Sequence, residues 1–448
     1  MSDPRRWAVV GGGMLGLTLA HRLAQAGQQV TLVEAAPHVG GLASAWSLGD
    51  VVWDRHYHVT LLSDSYTRGV LGDLGLEDEL RWVETKTGYY ADGRLSSVSD
   101  TIDFLRLPTL SPLDKVRLGA TIVAGSHMTN WRRLEHEPVA DWLTRWSGRG
   151  TYERFWLPLL RAKLGESAHD ASAAFLWATI QRLYAARRTG LKKEMFGYVP
   201  GGYARVLERF AELLRAEGVT LELGRAVHSI VRDGDELLVG TGDEPLRVDE
   251  VVVTATPRVA ARICTGLTAG EVGRLERVRY QGIVCASVLL RRPLSPYYLT
   301  YITDDAPFTA VVEMTAFVDP AELGGHTLVY LPKYVAPDDP LFAADDTEVA
   351  DRFLPALRQM HPDLDADDVL AFRVSRVREV FPVPTLGYSE HVPPMATTVP
   401  GLHLVSSAQI VNGTLNVNET VQLAEQSART LLASVPTHGA APMVGVGA

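Results

Sequence analysis

The chain lacks the residues that several classes of protein need. Only Cys264 and Cys285 occur among 448 residues, and no Cys or His spacing suits zinc. We therefore interpret both cysteines as core residues in a reducing compartment and expect no metal. Lysine and arginine number 43 against 53 acidic residues, a formal net charge of −10. Because nucleic-acid binding calls for a basic surface, we expect no nucleic-acid partner.

Long apolar runs are also missing. No uninterrupted run approaches the ~18 residues that a membrane span needs, and the first strand begins too early to leave space for a signal peptide. We therefore expect a cytoplasmic protein with no integral membrane segment. A hydrophobic content of 46% with 21% charged residues is typical of a globular protein. The length predicts two or three domains.

The strongest signal lies between Trp7 and Glu34. An apolar strand leads into Gly11-x-Gly13-x-x-Gly16, a helical pattern follows, and a second strand ends at Glu34. Gly11 allows a tight turn, Gly13 lets a pyrophosphate approach the backbone, and Gly16 lets the helix pack on the strand. The helix N-terminus favours phosphate, and Glu34 can accept hydrogen bonds from ribose hydroxyls while disfavouring NADP. A purely structural turn in another βαβ unit is the alternative.

A second glycine pair, Gly40-Gly41, follows the second strand. NAD does not need it, whereas FAD is longer. The run from Val9 through Gly41 resembles the FAD fingerprint of the amine oxidase superfamily, which includes monoamine oxidases, protoporphyrinogen oxidases and carotenoid desaturases. UDP-galactopyranose mutase is a more distant, similar family. The resemblance implies that Gly40, Gly41 and the adjoining Leu42 lie along the pyrophosphate and ribityl chain of FAD.

A middle block extends the resemblance. Pro200-Gly201-Gly202 leads into an amphipathic helix, and short alternating strands and a buried strand follow. In the family this order places a valine against the adenine. The resemblance implies that Val227 contacts the adenine through its backbone.

The last block departs from the family in part. Ser406 and Ser407 stand where similar proteins have Gly-Asp, so they can hydrogen-bond the pyrophosphate or ribityl chain but supply no charge. Asn416, Asn418 and Thr420 begin the final helix and offer an amide-rich end for the negative charge of reduced flavin. Neither cysteine suits covalent attachment, so we expect non-covalent FAD.

These blocks predict an α/β fold with two domains. The first is a Rossmann-like FAD-binding domain, with a parallel sheet and a β-meander. The second is an α+β substrate domain with a helical insertion, marked by helical patterns at 112–126, 138–147, 151–163 and 170–186. We assign residues 1–86, 200–283 and 371–433 to the first domain, 87–199 and 284–370 to the second, and 434–448 to a flexible tail.

Two histidines are the catalytic candidates. Val51 to Val59 alternates as a strand would, which predicts that His56 and His58 share one face. They could position or deprotonate a substrate hydroxyl or amine. The alternative is that they only hydrogen-bond within a packed site. Asp54 matches an Asp-hydrophobic-Gly run of the family, whereas Arg55 replaces its glycine.

Four residues are candidates for substrate contact. Arg187 and Arg188 belong to a basic run that could bind a phosphate or carboxylate, although a solvated helix face is the simpler interpretation. Glu313 could face a substrate or form a salt bridge at a strand edge, and Tyr203 is the fourth candidate. The whole basic run consists of Arg161, Lys163, Arg182, Arg187, Arg188, Lys192 and Lys193.

The sequence favours an FAD-dependent oxidoreductase. Such an enzyme would remove a hydride from a small or medium-sized organic substrate, by oxidising an amine or alcohol or by desaturating a C–C bond. The alternatives are a non-redox flavoenzyme acting on a nucleotide sugar, like UDP-galactopyranose mutase, and a catalytically silent flavin-binding scaffold. A small molecule is the expected partner, and a homodimer is left open.

Overall fold

The structure is a computed structural model, and it describes residues 4–99, 103, 106, 110–187, 195–242, 244–411, 413 and 415–434. Its strands are, in chain order, β1 Arg6–Val10, β2 Gln29–Glu34, β3 Ala45–Leu48, β4 Val51–Asp54, β5 Thr60–Leu61, β6 Arg81–Glu84, β7 Thr87–Ala91, β8 Arg94–Ser97, β9 Met195–Tyr198, β10 Thr220–Leu223, β11 Ser229–Asp233, β12 Glu236–Gly240, β13 Leu246–Val248, β14 Glu250–Val253, β15 Tyr280–Leu290, β16 Leu299–Ile302, β17 Ala310–Glu313, β18 Thr327–Val335, β19 Val369–Pro382 and β20 Leu402–Leu404.

The α-helices alternate with these strands and cluster between β8 and β9. They are α1 Met14–Gln25, α2 Ser65–Asp73, α3 Pro112–His127, α4 Trp131–Glu135, α5 Val139–Ser147, α6 Arg149–Thr151, α7 Leu157–Leu164, α8 Ala173–Arg187, α9 Gly202–Ala216, α10 Pro257–Ile263, α11 Ala269–Arg277, α12 Asp346–Met360, α13 Tyr388–His391 and α14 Val417–Ser434. A π-helical turn, Tyr152–Trp156, joins α6 to α7.

A five-stranded parallel sheet has the order β10-β2-β1-β14-β20. Successive residues of β1 point to opposite faces. Trp7 and Val9 pack against α1, α9 and α14, while Ala8 and Val10 pack against the antiparallel meander β11-β12-β13. Because both faces are covered, every core position of β1 is apolar. The predicted parallel sheet and meander are therefore confirmed.

A seven-stranded mixed sheet has the order β19-β15-β18-β17-β16-β7-β8. Strand β15 lies between β19 and β18 and is buried at all 11 positions, because α12 covers one face and the segments around β4 and β9 cover the other. Strands β15 and β19 run across the predicted domain boundaries at 283 and 371. The molecule is a mixed α/β protein, and its division into two domains stays a prediction.

Helices α3, α5, α7 and α8 overlap the four predicted helical patterns, while the short helices α4 and α6 are not predicted. Helix α3 begins with a capping box in which Ser111 and Asp114 bond each other's backbone amides, as expected for this pair of residue types. Trp142 and Trp156 are buried in the core of the block. Together with Leu415 and Phe381, they fix the block beside β19 and the C-terminal loop. The helical block thus lies next to the C-terminal segment predicted to hold the cofactor.

Candidate functional site

The glycine turn after β1 has the predicted strand-turn-helix geometry. Gly11 has a φ of 114°, and its amide donates to the carbonyl of Val33 at 2.9 Å. A Cβ on Gly16 would lie 1.9 Å from the carbonyl oxygen of Gly11, so no side chain fits there. Helix α1 begins directly afterwards, and no described side chain caps its N-terminus. The first helical amides are therefore left for a phosphate.

The structure brings the second glycine pair onto this turn. The Gly40 amide donates to the carbonyl of Gly12 at 2.7 Å, and a Cβ on Gly41 would lie 3.2 Å from the Cα of Gly13. Gly13 itself has ordinary extended backbone, and a Cβ there would meet nothing closer than Gly41 Cα at 4.0 Å. The two segments form a continuous surface without side chains, which we call the glycine cradle (Gly11–Gly16 with Gly40–Gly41).

Glu34 stands at one end of the glycine cradle. Its carboxylate accepts hydrogen bonds from the amides of Gly12 at 2.5 Å and Ala36 at 2.8 Å. A carboxylate offers about four acceptor sites, so it retains capacity for ribose hydroxyls. The amides of Gly224 and Arg225 donate to the carbonyls of Ala36 and Glu34. This pairing brings the chain that leads to half-buried Val227 close to the same end, as the predicted adenine contact requires.

The C-terminal candidates all make internal hydrogen bonds. Ser406 Oγ accepts from the amide of Ala408 at 3.3 Å, and the Ser407 hydroxyl contacts the Tyr280 hydroxyl at 2.9 Å. Asn418 Oδ1 accepts from the amides of Tyr66 and Thr67 at 3.0 and 3.2 Å, so it caps α2. Their predicted contacts with a cofactor stay predictions.

The predicted strand that carries both histidines is wrong in its extent. Strand β4 ends at Asp54, and His56 and His58 lie in the connection to β5. The last bond between β4 and β3 is that of the Arg55 amide, which donates to the carbonyl of Ser44 at 2.9 Å, and the Asp54 carboxylate accepts from the amide of Tyr203 at 2.7 Å. The two histidines consequently have different surroundings instead of a shared strand face.

His56 is buried, with Nδ1 3.1 Å from the carbonyl of Leu42. Since a carbonyl only accepts, Nδ1 carries the hydrogen in this contact. Burial lowers the pKa of His56 to about 4, so the ring is neutral near pH 7 and Nε2 holds a lone pair. Nε2 is buried and has no partner among the described residues. Leu42 therefore orients His56, and Nε2 is a free acceptor beside the glycine cradle.

His58 lines a separate, small pocket together with Trp53, Asp54, Tyr198 and Tyr203. Its ring lies 4.8 Å from the ring of Tyr203, measured between centroids, and Nδ1 lies 3.6 Å from Asp54 Oδ2. Asp54 thus connects His58 to the beginning of α9. Burial raises the pKa of Tyr203 above its ordinary value, so its hydroxyl stays protonated.

Glu313 lies apart from these groups, at the end of β17 in the mixed sheet. It is buried, and its carboxylate accepts from the amides of Leu294 and Ser295 at 3.2 and 3.0 Å. Burial raises its pKa to about 7. These bonds are to loop amides and are not the salt bridge considered as the alternative. Its predicted contact with substrate stays a prediction.

The basic run does not gather at one place within the described residues. Arg182 pairs with Asp64 at 3.3 Å, Arg161 is exposed, and Arg187 ends helix α8. Arg188, Lys192 and Lys193 lie outside the described residues, so the anion site predicted at Arg187 and Arg188 stays a prediction.

Within this basic run, Lys163 lies close to the segment that holds the candidate histidines. Its ammonium donates to the Tyr334 hydroxyl at 2.7 Å, and that hydroxyl lies 3.1 Å from the hydroxyl of Tyr57. Tyr57 stands between the two candidate histidines, so the three groups reach the same segment of chain. Sequence reasoning named Lys163 only as part of a charge run and missed both tyrosines. No local pattern could reveal a contact between residues 171 positions apart.

A second, small pocket lies against the Phe381 ring and is lined mostly by apolar side chains. It opens between the helical block, the end of β19 and the C-terminal loop. Its lining residues are Phe175, Phe381, Pro382, Pro384, Tyr388, Ile410, Val411, Gly413 and Leu415.

Neither a metal cluster nor a membrane-spanning helix is found in the ranges that the structure covers. No group of three or more His, Cys, Asp and Glu side chains there could hold a metal ion. No helix in those ranges is long and apolar enough to cross a bilayer.

Three known proteins show what the chain is similar to. A probable zeta-carotene desaturase from Synechococcus elongatus is 26% identical over 248 residues, which cover 50% of this chain and 51% of that protein. The match thus spans about half the length of that relative. Two solved structures share the fold: a protein described as a protoporphyrinogen oxidase from Exiguobacterium sp. 255-15 and a reduced UDP-galactopyranose mutase.

The structural matches extend over almost the whole chain. The Exiguobacterium protein has a TM-score of 0.75 at 18% identity, covering 96% of this chain and 99% of its own. The mutase has a TM-score of 0.74 at 16% identity, covering 96% and 94%. Identities this low establish the fold alone. The family model of flavin-containing amine oxidoreductases, however, matches residues 15–432, and the chain belongs to that family.

Proposed function

We propose that the protein is an FAD-dependent oxidoreductase that removes a hydride from a small or medium-sized organic substrate. The observation that carries this proposal is the space above Gly13. Its backbone is ordinary, and a Cβ there would come no closer to the protein than 4.0 Å, at Gly41 Cα, so the fold alone does not require glycine. A pyrophosphate bound over the glycine cradle would require glycine at position 13, because it must approach the backbone closely.

The residues of the glycine cradle fit FAD. Helix α1 would direct amides at the pyrophosphate, Glu34 would accept hydrogen bonds from the adenosine ribose, and Val227 would meet the adenine. The second glycine pair extends the cradle toward Leu42 and His56, which is the direction of the ribityl chain. FAD, when bound, supplies the hydride acceptor.

Non-covalent binding is the second part of the proposal. Cys264 and Cys285 are 2% and 0% exposed, in the cores beneath the meander and the mixed sheet. Burial raises the pKa of the Cys264 thiol to about 12 and that of Cys285 further above its ordinary range. Because the thiolate is the reactive form of cysteine, neither is suited to attack a flavin.

The side chains near the cradle suggest how a substrate would be handled. His56 Nε2 could accept a proton from a substrate hydroxyl or amine, in the orientation that Leu42 imposes. The neutral Tyr203 hydroxyl could donate a hydrogen bond beside His58. Amine oxidation, alcohol oxidation and C–C desaturation are all compatible with such groups.

Acid precipitation of the purified yellow protein tests the cofactor. We expect FAD in the supernatant and a colourless pellet, whereas colour retained in the pellet would contradict non-covalent binding. Anaerobic mixing with amines, alcohols and polyenes then tests the reaction, because hydride transfer bleaches the visible flavin band. Turnover that requires flavin reduced beforehand, and leaves it reduced, would instead support the nucleotide-sugar alternative.

A further inference from the structure

Helix α3 carries apolar side chains on its outer face as well as on its inner face. Leu118 and Gly125 are buried within the helical block formed by α3 to α8. Leu113, Val116 and Val123 are 57%, 69% and 54% exposed. At 3.6 residues per turn, these three lie within an arc of about 80° on the side away from the buried residues. We call them the apolar stripe. A helix that is apolar all round is normally buried all round, so the stripe indicates a surface that another body covers.

Exposed apolar side chains concentrate at this place. Eight large hydrophobic side chains are exposed among the described residues, and four of them are the apolar stripe and Trp146 of α5. The other four are scattered over β4, β11, β16 and the segment before α13. Trp146 lies close to α3, because a Cβ on Gly148 would stand 2.8 Å from Nη1 of Arg117. Single exposed hydrophobic residues are ordinary, whereas a group of them marks an interaction surface.

Positive charge borders the apolar stripe. On the same helical projection, Arg117 lies at one edge of the stripe and Lys115 at the other. Asp114, the one acidic residue of α3, is buried and forms the capping box with Ser111. Residues 110–164 contain nine Lys and Arg against five Asp and Glu, whereas the whole chain contains 43 against 53. The helical block is thus a basic region of an acidic protein, and such a charge asymmetry is typical of a surface that meets an anionic partner.

These features favour an anionic lipid bilayer over a second copy of the chain. Two stripes in contact would bring the cations of both helices together, with no exposed acid on α3 to pair with them. Helices that lie at a bilayer surface bury an apolar face of this kind at the boundary of the acyl chains, while flanking Lys and Arg reach the headgroup phosphates. Tryptophan is favoured at the same depth, as the position of Trp146 allows.

The length of α3 fits a helix that lies on a bilayer. Its 16 residues extend about 24 Å at 1.5 Å per residue, less than the hydrocarbon core of about 30 Å. Its inner face also packs against the rest of the helical block. Only the outer face is therefore available to lipid.

We infer that the apolar stripe of α3 docks the protein on the surface of an anionic phospholipid bilayer, with Arg117 and Lys115 against the headgroup phosphates. Docking goes beyond the proposed flavin chemistry and does not depend on it. A variant that loses docking should therefore keep the flavin content of the wild type.

Co-sedimentation of the purified protein with phospholipid vesicles tests the inference. The protein should bind vesicles of phosphatidylglycerol and phosphatidylcholine about tenfold or more tightly than vesicles of phosphatidylcholine alone, since each basic side chain at the surface contributes about fivefold. The double variant Val116→Ser, Val123→Ser should weaken binding to the mixed vesicles by about tenfold or more. Arg117→Gln should weaken the same binding about fivefold.

Val231→Ser is the matched control, because it replaces a valine that is 41% exposed on β11, outside the helical block. It should bind both kinds of vesicle as the wild type does. A wild type that does not bind the mixed vesicles would overturn the inference, and so would equal binding by the double variant. If the wild type instead forms a dimer that the double variant dissociates, without binding vesicles, the stripe belongs to a second copy. A marked loss of thermal stability in the double variant would also overturn the inference, because the stripe would then be covered within the chain itself.

Discussion

At the scale of single residues, burial decides the chemical state of the candidate groups. His56 loses its hydration and gains one carbonyl partner in return, so its neutral form is favoured. The carboxylate of Asp54 accepts a hydrogen bond from the amide of Tyr203 and so anchors the beginning of α9. The geometry makes His56 the better candidate for a base and Asp54 a structural residue.

The pH dependence of stability tests the state of His56. Its pKa is about 4 when folded and ordinarily 6.5, so the unfolded chain takes up the proton at higher pH than the folded chain does. The contribution of His56 is therefore fully present above about pH 6.5 and is lost as the pH falls to about 4. The shift corresponds to ~3 kcal/mol of unfolding free energy.

Urea denaturation at pH 7, 5.5 and 4 measures this effect. His56→Asn should lose less stability than the wild type over that range, by up to ~3 kcal/mol. His391→Asn, at an exposed histidine, should follow the wild type. Parallel pH profiles for wild type and His56→Asn would refute a buried neutral His56.

At the scale of elements, the sequence predicts structure that depends on neighbouring residues. It does not predict structure that depends on contacts between residues far apart in the chain. The strand, turn and helix at Gly11–Gly16 follow from neighbouring residues, and the sequence places them correctly. The alternation at Val51–Val59 predicts a strand as far as Val59, but β4 ends at Asp54, whose carboxylate bonds the amide of Tyr203, 149 positions away. The contacts of Lys163 likewise could not be predicted from the sequence, because Tyr334 and Phe381 lie far from it in the chain.

Helix α2 provides a test of an element held by a distant residue. Asn418 caps its N-terminus from the beginning of α14. Asn418→Ala should lower the unfolding free energy by ~1 kcal/mol, and Asn418→Asp should retain most of it because an aspartate oxygen also accepts amide hydrogens. Denaturant titration measures both, and equal stability of Asn418→Ala and wild type would contradict the capping role.

At the scale of the whole molecule, the parallel sheet that carries the glycine cradle joins segments far apart in the chain. The parallel sheet takes strands from residues 6–34, 220–253 and 402–404, and the proposed FAD site draws on the same three regions. A ligand that binds only the folded arrangement therefore stabilises the entire sheet.

Cofactor removal should reveal this coupling in the thermal unfolding of the protein. FAD at about 100 times its dissociation constant should add ~2.7 kcal/mol to the stability of the cofactor-free protein, which raises Tm by about 3 °C in a chain of this size. Riboflavin, which lacks the pyrophosphate and adenosine, should raise Tm little. An equal shift with riboflavin would show that the cradle does not recognise the dinucleotide.

The most direct measurement of the central claim is the FAD content of variants at Gly13. A methyl group is the safer change: a Cβ on Gly13 would come no closer than 4.0 Å to Gly41 Cα, and the backbone there is extended, so Gly13→Ala should fold with unchanged circular dichroism. Gly119→Ala adds the same methyl group in open space on α3 and serves as the control. We predict one FAD per chain in the wild type and in Gly119→Ala, and a strongly reduced FAD content in folded Gly13→Ala and Gly13→Val. Full FAD occupancy in Gly13→Ala would contradict the account.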